Sequence, residues 1–142
     1  MKQEKKQTLP KTWEKFCKQT PISTNECVFD DCGVIVPMTG LIEEDETERD
    51  PETDKIVFPN EKTANAVRAL IQLIQLRDYY RQGWTPDWSD DQSKYVIEYY
   101  DGNVYGETYT KRSAVLSFQS PPVMLEFMKN FADLIEQAKE LI

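Results

Sequence analysis

The chain has 142 residues and a formal net charge of −8, because its 25 aspartates and glutamates outnumber its 17 lysines and arginines. This length predicts a domain that folds without a disulfide or a metal, and a mean hydropathy of −0.63 with no long apolar run leads us to expect a cytoplasmic protein with no membrane span. The lack of histidine excludes Ser-His-Asp and Cys-His catalysts and every histidine-ligated zinc site.

The first part of the chain predicts a short helix, a strand and a strongly charged loop. Thr12 is a good N-cap for a helix through Cys17 or Lys18, and Val34–Val36 is an apolar run typical of a strand. Residues 43–54, here called the acidic segment, carry a local charge of −7, which leaves −1 for the rest of the chain. Its acids are Glu43, Glu44, Asp45, Glu46, Glu48, Asp50, Glu52 and Asp54. Because like charges repel, we expect a solvated loop that either only adds solubility or attracts a basic groove by imitating nucleic-acid phosphates.

A long helix and a polar loop follow the acidic segment. Asn60 is a plausible N-cap, the apolar period continues to about Gln82, and Gly83 supplies a stop signal. Pro86 and the neighbouring Asp and Ser residues then predict a loop from Trp84 to Asp91.

The remaining residues predict a small sheet and a second long helix. Lys94–Tyr100 and Val104–Thr110 flank an Asp-Gly-Asn turn, which is typical of a hairpin, and Ala114–Phe118 predicts a third strand. Ser120 with Pro121 begins a helix that keeps its apolar period to Leu141. The predicted fold is therefore α+β: a small three-stranded antiparallel meander packed by two long helices, with a short N-terminal helix and an acidic loop. Residues 1–57 form the helix and acidic-loop region and residues 58–142 the α-βββ-α core, within one domain overall.

No residue pattern predicts catalysis, a metal or a cofactor. Cys17, Cys27 and Cys32 lack a fourth cysteine, so zinc would need a carboxylate such as Asp30, and three reduced, partly buried thiols are the alternative interpretation. Phosphate-binding loops, nucleophile elbows and dinucleotide fingerprints do not occur. We therefore expect a protein that is not an enzyme.

The aromatic residues after the long helix are candidates for a binding surface. Trp84, Trp88, Tyr100 and Tyr105 are the rings we expect to anchor a protein interface, while other rings belong to the core or to cross-strand pairs. Stacking on single-stranded nucleic acid is the less favoured alternative, because acids outnumber cations around these rings.

From Phe58 onward the chain resembles a module of short proteins from gut Bacteroidota, their phages and mobile elements. The resemblance lies in the runs Phe58–Lys62 and Leu70–Trp88, the tyrosine-rich hairpin, Leu116-Ser117-Phe118 and Glu126-Phe127, and it covers about 85 residues. The size, the acidic balance and the opening Leu9–Cys17 are similar to type II anti-CRISPR proteins of gut bacteria. That resemblance implies a non-enzymatic inhibitor of an RNA-guided nuclease, acting in the cytoplasm of the bacterial host.

The sequence therefore predicts an inhibitor that binds a basic nucleic-acid-binding protein, with the acidic segment steering association and the aromatic residues as anchors. An RNA-guided nuclease fits as partner because it holds its heteroduplex in a positively charged channel. A structural or assembly protein of a phage or mobile element is the first alternative, and a single-strand nucleic-acid-binding protein is the second. Whether the chain forms a homo-oligomer is left open.

Overall fold

The computed structural model describes residues 9–20, 26–29, 35–37 and 57–142 of the chain. The chain divides into two units, Met1–Ala64 and Asn65–Ile142, and the division falls inside one long helix. The acidic segment and Cys32 lie outside the described residues, so the predictions made for them stay predictions. The predicted division at residues 57 and 58 also stays a prediction.

In the N-terminal unit, helix α1 spans Trp13–Gln19. The side-chain oxygen of Thr12 accepts a hydrogen bond of 3.1 Å from the backbone N–H of Lys15, which satisfies a donor that the first turn leaves without a partner in the helix. The N-cap predicted from the sequence is confirmed.

Two short strands follow in the same unit. Strand β1, Cys27–Phe29, pairs antiparallel with β2, Ile35–Pro37, one residue further along than the predicted run. Phe58 joins β1 through two backbone hydrogen bonds with Cys27, of 2.9 and 2.7 Å, and its ring lies 4.8 Å from that of Phe29. This arrangement holds Phe58 beside β1 just before the long helix begins.

Helix α2 spans Glu61–Arg81. Asn60 is its cap, since the Oδ1 atom accepts a 2.8 Å hydrogen bond from the N–H of Thr63. After Arg81 the chain turns through Gln82 and Gly83, whose φ angles of 47° and 86° are left-handed and end the helix. Both predicted ends of this helix are confirmed.

The C-terminal unit contains a three-stranded antiparallel sheet of β3 (Lys94–Tyr100), β4 (Asn103–Tyr109) and β5 (Ser117–Phe118). Asp101 and Gly102 take positive φ angles of 50° and 80°, as the tight turn between β3 and β4 requires. The strand order is β4-β3-β5, so the third strand pairs with β3 and not with β4. The predicted meander is wrong in this respect: β3 is the central strand, because Val96 and Ile97 on its two faces both need to be buried.

The last helix of the prediction is interrupted. Ser120 caps α3, Pro121–Asn130, and α4, Ala132–Ala138, follows after a break at Phe131. The ring of Phe131 packs 4.9 Å from Phe127 and 5.5 Å from Tyr80, and Phe131 leaves helical geometry with φ at −120°. The apolar period is therefore divided between two helices at Phe131.

The two faces of the hairpin differ in what covers them. Its inner face packs against α3, and a Cβ atom on Gly106 would stand 2.6 Å from the Met124 methyl group. The side chains of this face are Tyr95, Ile97, Tyr99, Val104 and Thr108, with Gly106 between them. The core also includes Ala69, Leu73, Leu116, Phe118, Phe127, Ile135 and Ala138. The predicted α+β fold is thus confirmed, and the opposite, outer face of the hairpin is left to examine for function.

Candidate protein-binding surface

The outer face carries the polar and aromatic side chains of the hairpin. Its members are Lys94, Val96, Glu98 and Tyr100 on β3 and Asn103, Tyr105, Glu107 and Tyr109 on β4. The register places Lys94 opposite Tyr109 at one end of this face and Glu98 opposite Tyr105 nearer the turn. These two ends differ in charge and in what covers them.

The end at Lys94, here called the closed end, contains a buried ammonium group. Lys94 is 1% exposed, and its Nζ donates to Asp90 Oδ1 at 2.5 Å and to the Thr110 carbonyl at 2.7 Å. Burial of an ammonium group is costly unless it is paired and hydrogen-bonded, and here both conditions hold. Lys94 thereby joins the loop after α2 to the end of β4.

The two predicted tryptophan anchors lie in this loop and are half-buried. The guanidinium of Arg81 lies 5.4 Å from the ring centre of Trp84, and the Lys94 ammonium lies 5.6 Å from that of Trp88. Each indole therefore already has a cation of its own chain on its face, which leaves less of either ring for a partner.

Arg81 links α2 to the sheet. Its Nε donates to the Ser117 carbonyl at 2.9 Å, and its Nη2 donates to the Ser117 hydroxyl at 2.6 Å. Burial and the neighbouring Arg77 lower the pKa of Arg81 to about 10, against which the carboxylate of Asp78 acts. Arg81 thus stays charged at neutral pH and holds the C-terminal end of α2 to β5.

The other end, here called the open end, is built around the carboxylate of Glu98. The hydroxyl of Tyr109 donates to both of its oxygens, at 2.9 and 3.0 Å. Tyr109 lies opposite Lys94, which is four residues before Glu98 on β3. The Tyr109 side chain therefore reaches along the strands, past the fully buried Val96, to the Glu98 carboxylate. A guanidinium completes the set: Arg112 donates to the Tyr109 hydroxyl at 3.1 Å and lies 4.8 Å from its ring centre.

The titration of the two phenols reflects this carboxylate. The hydrogen bond to Glu98 raises the pKa of Tyr109, and Arg112 acts in the opposite direction. Desolvation and then the hydrogen bond to Glu98 raise the pKa of Tyr105. Both phenols therefore remain protonated hydrogen-bond donors over the physiological range.

The two predicted anchors on the hairpin are Tyr100 and Tyr105. Tyr100 is 70% exposed beside the turn, whereas Tyr105 is half-buried. The structure thus brings Tyr100 and Tyr105 onto one face with Glu98, and it places Trp84 and Trp88 in the loop after α2. Sequence analysis did not single out Glu98, Tyr109 or Arg112. Strict alternation in a hairpin with a two-residue turn was the available signal, because it fixes which residues lie opposite each other.

Among the residues that the structure describes, no ion pair neutralises the carboxylates at the open end. Within the described part of the chain, Glu98, Asp101 and Glu107 form none, whereas the buried Lys94 and the exposed Lys111 pair with Asp90 and Asp91 beside the closed end. The outer face is therefore acidic and rich in tyrosine toward the turn.

The N-terminal unit carries a groove of about 510 Å³ beside α1. Three lysines and apolar atoms form its walls: the residues are Leu9, Pro10, Lys11, Lys15, Lys18 and Gln19. This agrees with the basic character of the first residues in the sequence, and it places positive charge in a different unit from the acidic hairpin face.

Among the residues that the structure describes, no three acidic or thiol side chains come together in a way that could hold a metal ion. No described helix is both long enough and apolar enough to span a membrane. No protein-family model matches the chain, and neither a curated protein nor a solved structure is detectably similar to it. Function is therefore argued from the surface itself.

Proposed function

We propose that this protein is a non-enzymatic inhibitor that binds a basic, nucleic-acid-handling defence protein of a bacterial host, specifically an RNA-guided type II nuclease. The observation that carries the proposal is the placement of charge. Of a net charge of −8, a charge of −7 lies in twelve consecutive residues, 43–54. A dense row of carboxylates has the charge pattern that a positively charged nucleic-acid channel attracts.

The hairpin face supports a second contact of the same sign. Glu98, Asp101 and Glu107 are without ion pairs among the described residues, and tyrosine is enriched in protein interfaces. Long-range attraction by the acidic segment would speed encounter, and short-range contacts of the hairpin would slow dissociation.

Binding of single-stranded nucleic acid receives less support from the same contacts. A stacking platform needs cations free to meet phosphates, but Arg81 is bonded to Ser117 and Lys94 to Asp90. These cations already serve the fold, and the hairpin carboxylates would repel a phosphate backbone.

The test is cleavage of target DNA by a guide-loaded type II nuclease with the full chain titrated in at low and high salt. We expect loss of cleavage near stoichiometry. Reversal of three acids in the segment (Glu44→Lys, Glu46→Lys and Glu48→Lys) should weaken inhibition about tenfold at low salt, since electrostatic steering changes association rates by this order or more.

A matched control separates the segment from the overall charge. Glu126→Lys, Asp133→Lys and Glu140→Lys change the net charge equally but lie on exposed positions of the C-terminal helices. Equal weakening by both triple variants would overturn the role of the segment. Full cleavage at every concentration, with nucleases of several sources, would overturn the inhibitor, and a large homo-oligomer in light scattering would then favour an assembly protein.

A further inference from the structure

We propose that the open end of the outer hairpin face is a binding site for an arginine side chain of a basic partner protein, with Glu98 as the carboxylate and Tyr100 and Tyr105 as the flanking rings. The inference deepens the proposed function, and it rests on that function only for the identity of the partner. The binding chemistry itself is argued from the hairpin.

The open end of the outer face is rich in carboxylates. Glu98 is the central carboxylate of this face, and phenol hydroxyls donate to it without neutralising it. An ionised carboxylate can accept about four hydrogen bonds, and a planar guanidinium offers five donors in a fork that fits it. Asp101 and Glu107 add negative potential on either side of the same hairpin.

A guanidinium of the same chain already lies on this face. Arg112 of the same chain packs over the Tyr109 ring at 4.8 Å and donates to its hydroxyl, which in turn donates to Glu98. This contact shows that a tyrosine of the outer face stacks with a guanidinium next to the carboxylate. Tyr105, directly opposite Glu98, and the 70% exposed Tyr100 offer equivalent rings on the side toward the turn.

Arginine fits better than lysine for a geometric reason. Guanidinium stacks flat on an aromatic ring while its edge donates to a carboxylate, whereas an ammonium group is a compact, strongly hydrated charge. Proteins that handle nucleic acid display arginines for bidentate contacts with phosphates and base edges, so such side chains are available on the kind of partner that the charge of this chain selects.

The experiment measures peptide binding with the nuclease left out. The full chain is used with the eight acids of residues 43–54 changed to Asn or Gln, so that only the remaining surface attracts a cationic peptide. The probes are a short peptide of alternating arginine and glycine and its lysine counterpart, titrated by calorimetry and by NMR of the tyrosine side chains.

We expect the arginine peptide to bind more tightly than the lysine peptide and to shift the resonances of Tyr100 and Tyr105. Glu98→Gln should weaken arginine binding about tenfold, as expected for loss of charge-assisted hydrogen bonds, and Glu126→Gln on α3 should leave it unchanged. Arg112→Gln should tighten binding severalfold, because it removes a like charge from the face and exposes the Tyr109 ring.

These opposite signs make the test decisive. A change that acted only by loosening the hairpin would weaken binding in both variants. Equal affinity for the two peptides, no effect of Glu98→Gln, or weaker binding by Arg112→Gln would each overturn the proposal. If Glu98→Gln fails to fold, Tyr100→Ser at an exposed position gives the same comparison, with weaker arginine binding expected. Arginine binding that persists in a protein without effect on any nuclease would overturn the proposed function alone.

Discussion

The two faces of the β3–β4 hairpin differ in the side chains that cover them. The inner face packs against apolar side chains of α3. Met124 lies against Gly106, and Phe127 lies 4.7 Å from Phe118 of the neighbouring strand β5. On the outer face, the contacts of Glu98 within the described part of the chain are hydrogen bonds from phenols, and the Tyr109 ring lies under the Arg112 guanidinium. Both faces therefore have buried side chains, Ile97 on the inner face and Val96 and Lys94 on the outer face, and the exposed Tyr100 lies at the open end of the outer face.

Within the outer face the closed and open ends differ again. At the closed end the cation, Lys94, is buried and its charge is satisfied by Asp90. At the open end, the contacts that the described residues make with the Glu98 carboxylate are hydrogen bonds from phenols, and the ring of one of them, Tyr109, lies under Arg112. An incomplete arrangement of this kind is what a partner can complete.

The largest effect should come from removing the centre of the inner layer. Phe127→Ala should lower the free energy of unfolding by about 3–5 kcal/mol, because the ring is fully buried among three other rings. Denaturant unfolding measures it, and Leu125→Ala, two residues away and 57% exposed, is the control that should change stability by less than about 1 kcal/mol. Similar losses in the two variants would contradict the packing described for α3.

The next effect compares two lysine–aspartate pairs beside the closed end. Lys94→Met should cost about 1–3 kcal/mol, since it leaves the Thr110 carbonyl and Asp90 without their donor. Lys111→Met removes an exposed pair of 3.2 Å with Asp91 and should cost less than about 1 kcal/mol. Equal costs in thermal or denaturant unfolding would mean that Lys94 does not hold the loop.

A spectroscopic effect should mark the open end. Two of the seven tyrosines, Tyr105 and Tyr109, should ionise at higher pH than an ordinary tyrosine. Desolvation and then the hydrogen bond to Glu98 raise the pKa of Tyr105, and the hydrogen bond to Glu98 and then desolvation raise the pKa of Tyr109. A folded pKa above the unfolded value favours folding below the ordinary tyrosine pKa, and this contribution is lost as the pH rises through the raised values. Tyrosinate absorbance followed against pH measures the shift. Glu98→Gln should return Tyr109 toward ordinary titration and move Tyr105 in the same direction by less, because desolvation still raises the pKa of Tyr105. An unchanged curve would show that the carboxylate does not hold the Tyr109 phenol.

The smallest effect on stability should come from Tyr100. Its ring is 70% exposed, so Tyr100→Ser should change the free energy of unfolding by less than about 1 kcal/mol. The same variant should still weaken binding of the arginine peptide. A large loss of stability would place Tyr100 in the fold and not in a binding surface.

Local chemistry was readable from the sequence. The caps Thr12, Asn60 and Ser120 were predicted because their side-chain oxygens satisfy N–H groups only a few residues away. The hairpin was predicted because an Asp-Gly turn fixes the register of its own flanking strands. Two of the four predicted anchors, Tyr100 and Tyr105, follow from this hairpin prediction, because both lie on its strands.

Other features depend on residues far apart in the chain. The pairing of β5 with β3, the break at Phe131 and the contact of Arg81 with Ser117 follow from which surfaces need to be buried together, and periodicity carries no such information. Lys94 is buried for the same kind of reason, because its ammonium donates to the carbonyl of Thr110, which is 16 residues away in the chain.

The sequence by itself determined the helix caps, the long helix α2, the hairpin and the concentration of negative charge, because each depends on neighbouring residues. Only the tertiary structure decided which cations are already engaged and which carboxylates, Glu98, Asp101 and Glu107 among them, are left without an ion pair among the described residues. That choice depends on side chains brought together over 36 residues in the case of Arg81 and Ser117, and it separates the part of the outer face that stabilises the fold from the part that we propose as a binding site.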